Sequence, residues 1–182
     1  INSVEHFLGE YAIANRLGFP QPAQLSGKKV AVIGGGPAGL SAAYQLARKR
    51  HAVTIFDERA ELGGMMRYGI PGFRTPRDVL DAEMQRIVDL GVTLKLNTKI
   101  SDLAQSMRDG GYHAAFLAVG AHIAKRAFIP AKDSSRILDA VAVLRSMDGE
   151  APPRLGRRVV VYGGGNTAID VARTAKRLGA TE

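Results

Sequence analysis

The sequence predicts an α/β chain built on a parallel, doubly wound sheet, and three observations carry that prediction. From residue 28 onward, strand-sized apolar runs alternate with helix-sized amphipathic runs. A glycine fingerprint, VAVIGGGPAGLSAAYQLA, joins a strand to a helix from Val30, with Gly34, Gly36 and Gly39 at its turn. A second run, VVVYGGGNTAIDVARTA, repeats the arrangement from Val159 with Gly163, Gly165 and then Ala168. One such fingerprint is a weak signal. Two in strand–turn–helix context predict two dinucleotides on one chain, and so redox chemistry.

The elements follow in order. Val4, Phe7, Leu8 and Tyr11 form a stripe at helical spacing, with Asn2 as the expected cap and Glu5 three residues later. Residues 18–22 end that helix and make a linker. A strand is expected at 30–33, a helix at 37–49, a second strand at 52–56 and a glycine-rich loop at 62–73. Thr75, Pro76, Arg77 and Asp78 read as cap, first-turn proline and early acid of a new helix. Leu80, Met84, Ile87 and Val88 mark its buried face, and Gly91 its end. Strands at 92–96 and 114–119 flank a short helix near 103–107. Beyond Gly120 come Ile129-Pro130, a helix near 137–146, a turn at Pro152-Pro153 and a strand from Arg158 leading into the second fingerprint. The expected division is a linker helix over 1–24, one nucleotide domain over 25–127 and the start of another over 128–182. Both domains are expected to be incomplete within these residues.

Composition narrows the function classes. The 182 residues are 46% hydrophobic and 23% charged, as in ordinary globular proteins. No apolar run reaches membrane-span length and the N-terminus lacks a signal-peptide pattern, so a cytoplasmic location without membrane partners is expected. The absence of cysteine excludes a disulfide, a C-x-x-C redox pair or a cysteine-held iron–sulfur cluster within these residues. The net charge of +8 comes from scattered basic residues, several near helix C-termini where they offset the dipole, so no nucleic-acid partner is expected. The four histidines (His6, His51, His113, His122) have neither metal nor triad spacing, and no metal site or catalytic side chain is predicted.

The fingerprints ask for specific contacts. Gly34 permits the tight turn, Gly36 lets backbone approach a pyrophosphate, and Gly39 lets helix and strand pack closely. Amides at the helix start, helped by its dipole, face the phosphates. An acid after the second strand then meets the ribose hydroxyls; Asp57 stands there, with Glu58 as its neighbour on the other face. A tight turn in an α/β protein that binds no nucleotide would need the same glycines. In the second run, Asn166 either caps its helix or adds a contact near phosphate, and Asp170 complements the dipole. The glycines at 63, 64 and 69, beside Met65, Met66, Ile70 and Pro71, either let backbone lie against a flat group or form a plain loop.

In order along the chain, GGGPAG, VTIFDE, LGGMMRYGIP, FRTPRDVLDAE, AFLAVGA and GGGNTAIDVART resemble the glutamate synthase small-subunit family of FAD-dependent pyridine nucleotide oxidoreductases. That resemblance implies two Rossmann-like domains, the first for FAD and the second for NAD or NADP. It implies that Gly34, Gly36, Pro37, Ala38 and Gly39 lie along the FAD pyrophosphate, with Asp57 at the adenosine ribose. Gly64, Met65, Arg67 and Ile70 would line the flavin, Ile100 would face the adenine, and Ala118 and Gly120 would close over the cofactor. Gly163, Gly165, Asn166, Thr167 and Ala168 would take the pyridine nucleotide. Where relatives often have Ile-Pro-Gly before an acid, this chain has Ile129-Pro130-Ala131-Lys132.

The implied chemistry is hydride transfer from nicotinamide C4 to flavin N5, followed by electron transfer to an iron–sulfur domain or subunit. The cofactors carry that chemistry, so no acid–base pair is required of the protein. A disulfide reductase is disfavoured by the missing cysteines. A structural FAD-binding assembly subunit without turnover remains the alternative.

Overall fold

The computed structural model describes residues 1–21, 24–121, 136–148 and 152–182. Within them run α1 (Asn2–Ala14), β1 (Lys29–Ile33), α2 (Pro37–Arg48), β2 (Ala52–Phe56), α3 (Met65–Tyr68), α4 (Arg77–Val88) and β3 (Thr93–Lys95). Then follow α5 (Leu103–Gly110), β4 (Ala114–Leu117), α6 (Ala140–Arg145) with a 3-10 turn at Ser146–Asp148, and α7 (Asn166–Arg177). The α/β reading and the parallel sheet are both borne out. The sequence at Ile129-Pro130, with the expected boundary at 127, lies outside the described residues. Among the described residues no helix is long and apolar enough to cross a membrane.

The chain divides into two compact units. The first comprises Ile1–Gly64 and Pro76–Gly120; the second comprises Met65–Thr75 and Ala121–Glu182.

In the first unit the strands lie in the order β3-β2-β1-β4, every pair parallel. Register pairs Val30 with Val53 and Val32 with Ile55, so these four side chains share one face. Leu40, Ala43 and Ala47 of α2 and Leu80 and Met84 of α4, all at three- or four-residue spacing, are buried in the core with that face. Val32, Ala43 and Ile55 are fully buried. Burying a side chain such as Ile55 contributes about 1.5–3 kcal/mol. Phe19 of the expected linker packs on Tyr44 at 4.7 Å between ring centres, and the Arg86 guanidinium lies over the Phe19 ring at 4.5 Å. Because β1 leads to β2 and β3 on one side and β4 returns on the other, the loops after β1 and β4 flank the sheet's switch point.

Local expectations needed correction in several places. Asn2 is the first helical residue and Ile1 occupies the cap position, without a side-chain cap. The α1 stripe of Val4, Phe7, Leu8 and Tyr11 stays exposed, because the helix touches α4 through another face around Gly9. Pro76, rather than Thr75, stands at the cap of α4, where its missing N–H costs nothing. The helix expected near 137–146 starts at Ala140, where Asp139 accepts from Ala142 N at 2.7 Å and fixes the boundary. The loop expected over 62–73 contains the short helix α3.

In the second unit α6 packs on α7, burying Val143 and Leu144 on one helix and Val171, Thr174 and Ala175 on the other. Arg67 of α3 and Asp170 of α7 are also buried. The strand expected from Arg158 does not form a ladder; Val160 and Tyr162 are exposed. A strand exists only by pairing, and among the described residues this run pairs at one rung. Glu182 N donates to Arg157 O at 3.2 Å and Val159 N to Glu182 O at 2.9 Å, the pattern of a parallel pair. The Arg158–Glu182 ion pair at 3.0 Å spans the same rung.

Candidate functional site

The first fingerprint folds as the turn between β1 and α2. Gly34 has φ +110, and a Cβ there would overlap the carbonyl oxygen of Ala118. This position therefore requires glycine twice over, for conformation and for space. Ala118 N donates to Ile33 O at 2.8 Å, which continues the β1–β4 pairing into the loop that carries Gly120. A Cβ on Gly39 would overlap the Gly34 carbonyl oxygen and lie 3.2 Å from Val32 Cγ1, so α2 packs directly on the turn.

Gly36 differs. It caps α2 with φ −79 and ψ −175, a conformation any residue adopts, and a Cβ there would meet only Gly64 Cα at 3.6 Å. Packing does not demand glycine here; the missing side chain leaves a cradle open. With no side chain to cap α2, the amides of Ala38 and Gly39 have no acceptor among the described residues, as at an uncapped helix start, and Pro37 supplies no donor. Backbone donors and a positive dipole end facing an open cradle suit a pyrophosphate.

Asp57 and Gly64 border this turn. Asp57 Oδ2 accepts from Gly35 N at 2.7 Å and Oδ1 from Arg59 N at 2.9 Å, so the carboxylate locks the turn to the end of β2. An ionised carboxylate has roughly four acceptor sites, leaving two for hydroxyl donors. Glu58 is exposed and pairs with Lys99 at 3.7 Å, away from the turn's amides. Gly63 N donates to Gly35 O at 2.8 Å, which brings Gly64 against Gly36. Ile100 lies two residues past Thr98, whose N–H donates to Asp57 O at 2.8 Å.

The second fingerprint repeats the same backbone. Gly163 has φ +137, and Gly165 caps α7 with φ −80 and ψ 175, close to the φ −79 and ψ −175 of Gly36. Each turn leads into a twelve-residue helix with no side-chain cap. Asn166 is thus the first helical residue and does not cap α7; its amide and those of Thr167 and Ala168 have no acceptor among the described residues. Glycines at 164 and 165 have open space where a Cβ would stand, and Ala168 Cβ lies 3.5 Å from that position at Gly163.

Comparison with known proteins agrees with this geometry. The sequence profile of the pyridine nucleotide-disulphide oxidoreductases matches residues 28–181. The chain belongs to that family. It is 44% identical over 181 residues to the NADP(+)-dependent formate dehydrogenase subunit beta of Moorella thermoacetica, covering 97% of this chain and 26% of that protein. It is 35% identical over 167 residues to the glutamate synthase [NADPH] small chain of Escherichia coli K12, covering 85% and 35%. The likeness to glutamate synthase small chains read from the motifs is therefore borne out. The chain spans between a quarter and just under half the length of these and similar relatives. In fold it is similar to FprA from Mycobacterium tuberculosis, solved with NADPH, at a TM-score of 0.68, 23% identity and coverage of 80% and 36%.

These 182 residues contain no cysteine, so none of them carries disulfide exchange. Among the described residues no cluster of histidine or acidic side chains could hold a metal ion. The sites read from sequence fall into two groups. Gly34, Gly36, Pro37, Ala38, Gly39, Asp57, Glu58, Gly64, Ile100, Ala118 and Gly120 belong to the first unit, and Met65, Arg67 and Ile70 join Gly163–Ala168 in the second. Sequence reasoning missed the role of Asp170. Beyond complementing the helix dipole, it is buried and accepts from Arg74 Nη1 at 2.7 Å. Nothing local signals a pair 96 residues apart.

Proposed function

We propose that this chain is the cofactor-holding part of an FAD-dependent NAD(P)H oxidoreductase related to the glutamate synthase small chain. In this reading, hydride passes between pyridine nucleotide and flavin, and electrons leave for an iron–sulfur partner. The observation that carries the reading is the duplicated turn: two glycine caps of closely similar φ and ψ, each opening a helix whose first amides have no acceptor among the described residues. A single-nucleotide protein needs one such turn. Relatives named as subunits of NADP(+)-dependent formate dehydrogenase and NADPH-Fe(3+) oxidoreductase support an electron-input role within a larger assembly.

FAD, when bound, supplies an acceptor of two electrons from nicotinamide that can release them one at a time. The chain's residues bind and orient. The Ala38 and Gly39 amides would hold the FAD pyrophosphate, and Asp57 would accept from the adenosine ribose with the lone pairs that Gly35 and Arg59 leave free. Asn166, Thr167 and Ala168 do the same for NAD(P)H at Gly165. No side chain must donate or remove a proton in the hydride step, consistent with the lack of any predicted acid–base pair.

The test is the visible absorbance spectrum of the full-length protein before and after anaerobic NADPH or NADH. A flavin band bleached by one nucleotide supports the reading and reports the preference between the two. A band that neither nucleotide bleaches favours a structural flavin subunit, and no band at all removes the FAD assignment.

A further inference from the structure

Asp170 lies four residues beyond Asn166 on α7, about 6 Å along the helix axis from its start. Its side chain is only 5% exposed. A buried carboxylate at that depth opposes what the turn is built to do. The open amides and the dipole attract an anion, whereas a fixed negative charge one turn behind them repels it. Arg74 removes the conflict, its Nη1 standing 2.7 Å from Asp170 Oδ2. The residue before it is gripped by the same helix: the Phe73 ring lies under the guanidinium groups of Arg173, at 4.7 Å, and Arg177, at 3.8 Å. Thus α7 carries the fingerprint at its start and, along its length, the anchors of the segment that delivers the counter-charge.

We propose that Arg74 is a charge-compensating positioning residue of the second nucleotide site, cancelling Asp170 so that the start of α7 presents a positive end to the pyrophosphate of NAD(P)H. The inference rests on the reading that this fingerprint holds a pyridine nucleotide. It assigns a binding role to a residue outside the fingerprint that contributes charge and no contact to the dinucleotide.

The experiment measures NADPH and NADH dissociation constants on the full-length protein and on Arg74→Gln, Arg74→Lys, Asp170→Asn and the Arg74→Gln/Asp170→Asn double variant. Arg74→Gln should weaken binding on the order of tenfold, more at low salt than at high. Arg74→Lys, which keeps the charge, should stay within about threefold of wild type. Asp170→Asn should bind more tightly than wild type, and the double variant should recover most of what Arg74→Gln loses. A purely structural anchor predicts the reverse: Asp170→Asn as weak as Arg74→Gln, and no recovery in the double variant. Either that pattern or wild-type affinity in Arg74→Gln overturns the inference while leaving the proposed function intact. Failure of the wild-type protein to bind either nucleotide overturns the proposed function, and this inference with it.

Discussion

Replacing Gly36 or Gly39 by alanine adds the same methyl group to neighbouring positions of one turn, yet the structure assigns the two changes opposite consequences. At Gly39 the added Cβ overlaps the Gly34 carbonyl oxygen and lies 3.0 Å from its carbon and 3.2 Å from Val32 Cγ1. Carbon–carbon contacts are optimal at about 3.5–4.0 Å and the overlap with the oxygen is deeper still, so α2 and β1 must part by more than about 1 Å. Alanine in a helix gains about 1 kcal/mol over glycine. Overpacking against backbone, which has no rotamer to yield, costs roughly 1–3 kcal/mol or more. With contacts this short against backbone the cost lies at or above the top of that range, so the clash wins and Gly39→Ala should lower stability by about 2 kcal/mol or more. At Gly36 the Cβ meets only Gly64 Cα, at 3.6 Å and in ordinary contact, on backbone that alanine tolerates. Gly36→Ala should therefore fold with stability within about 1 kcal/mol of wild type, while its methyl group occupies the cradle and the protein loses most of its flavin. Urea denaturation and the ratio of flavin to protein absorbance, measured on both variants of the full-length protein, decide the matter. A Gly36→Ala protein that keeps its full flavin complement, or a Gly39→Ala protein as stable as wild type, would refute the reasoning.

Other perturbations have equally definite outcomes. Asp57→Asn turns an acceptor-only group into one with an amide facing the Gly35 or Arg59 N–H, and should cost about 1–3 kcal/mol in denaturation along with weaker flavin retention. Thr174 is fully buried on α7 and its hydroxyl has no partner among the described residues, so Thr174→Val should raise stability by about 1 kcal/mol in the same assay. Ile55→Ala removes a fully buried side chain from the centre of the sheet and should cost about 2–5 kcal/mol, read as a lower Tm without a selective change in NAD(P)H affinity.

What the sequence disclosed is what local sterics encode. A positive φ at 34 and 163 must be glycine, and a strand before and a helix after each turn follow from the period of the apolar residues. The core stripe of α4, Leu80 and Met84, was legible for the same reason. Features that need a distant partner were not. Val160 and Tyr162 have the composition of a buried strand but lie exposed, since β structure requires a neighbour to complete its hydrogen bonds. The α1 stripe has helical spacing without a surface to bury it among the described residues. Asp170 looked like an early helix acid because sequence shows its position on the helix but not Arg74 opposite. At the candidate sites, the turns were legible and the electrostatic balance behind the second one was not.

The near-identical caps at Gly36 and Gly165 hide an asymmetry between the turns. They are interchangeable in one direction only. Grafting residues 34–39 in place of 163–168 would put a glycine where Ala168 stands and exact little beyond lost helix propensity, about 1 kcal/mol. The reverse graft would drive the alanine methyl group into the Gly34 carbonyl, because α2 rides closer to its own turn than α7 does. A duplicated nucleotide turn has thus been left with slack at one copy and none at the other, and tolerance of sequence drift should follow the slack.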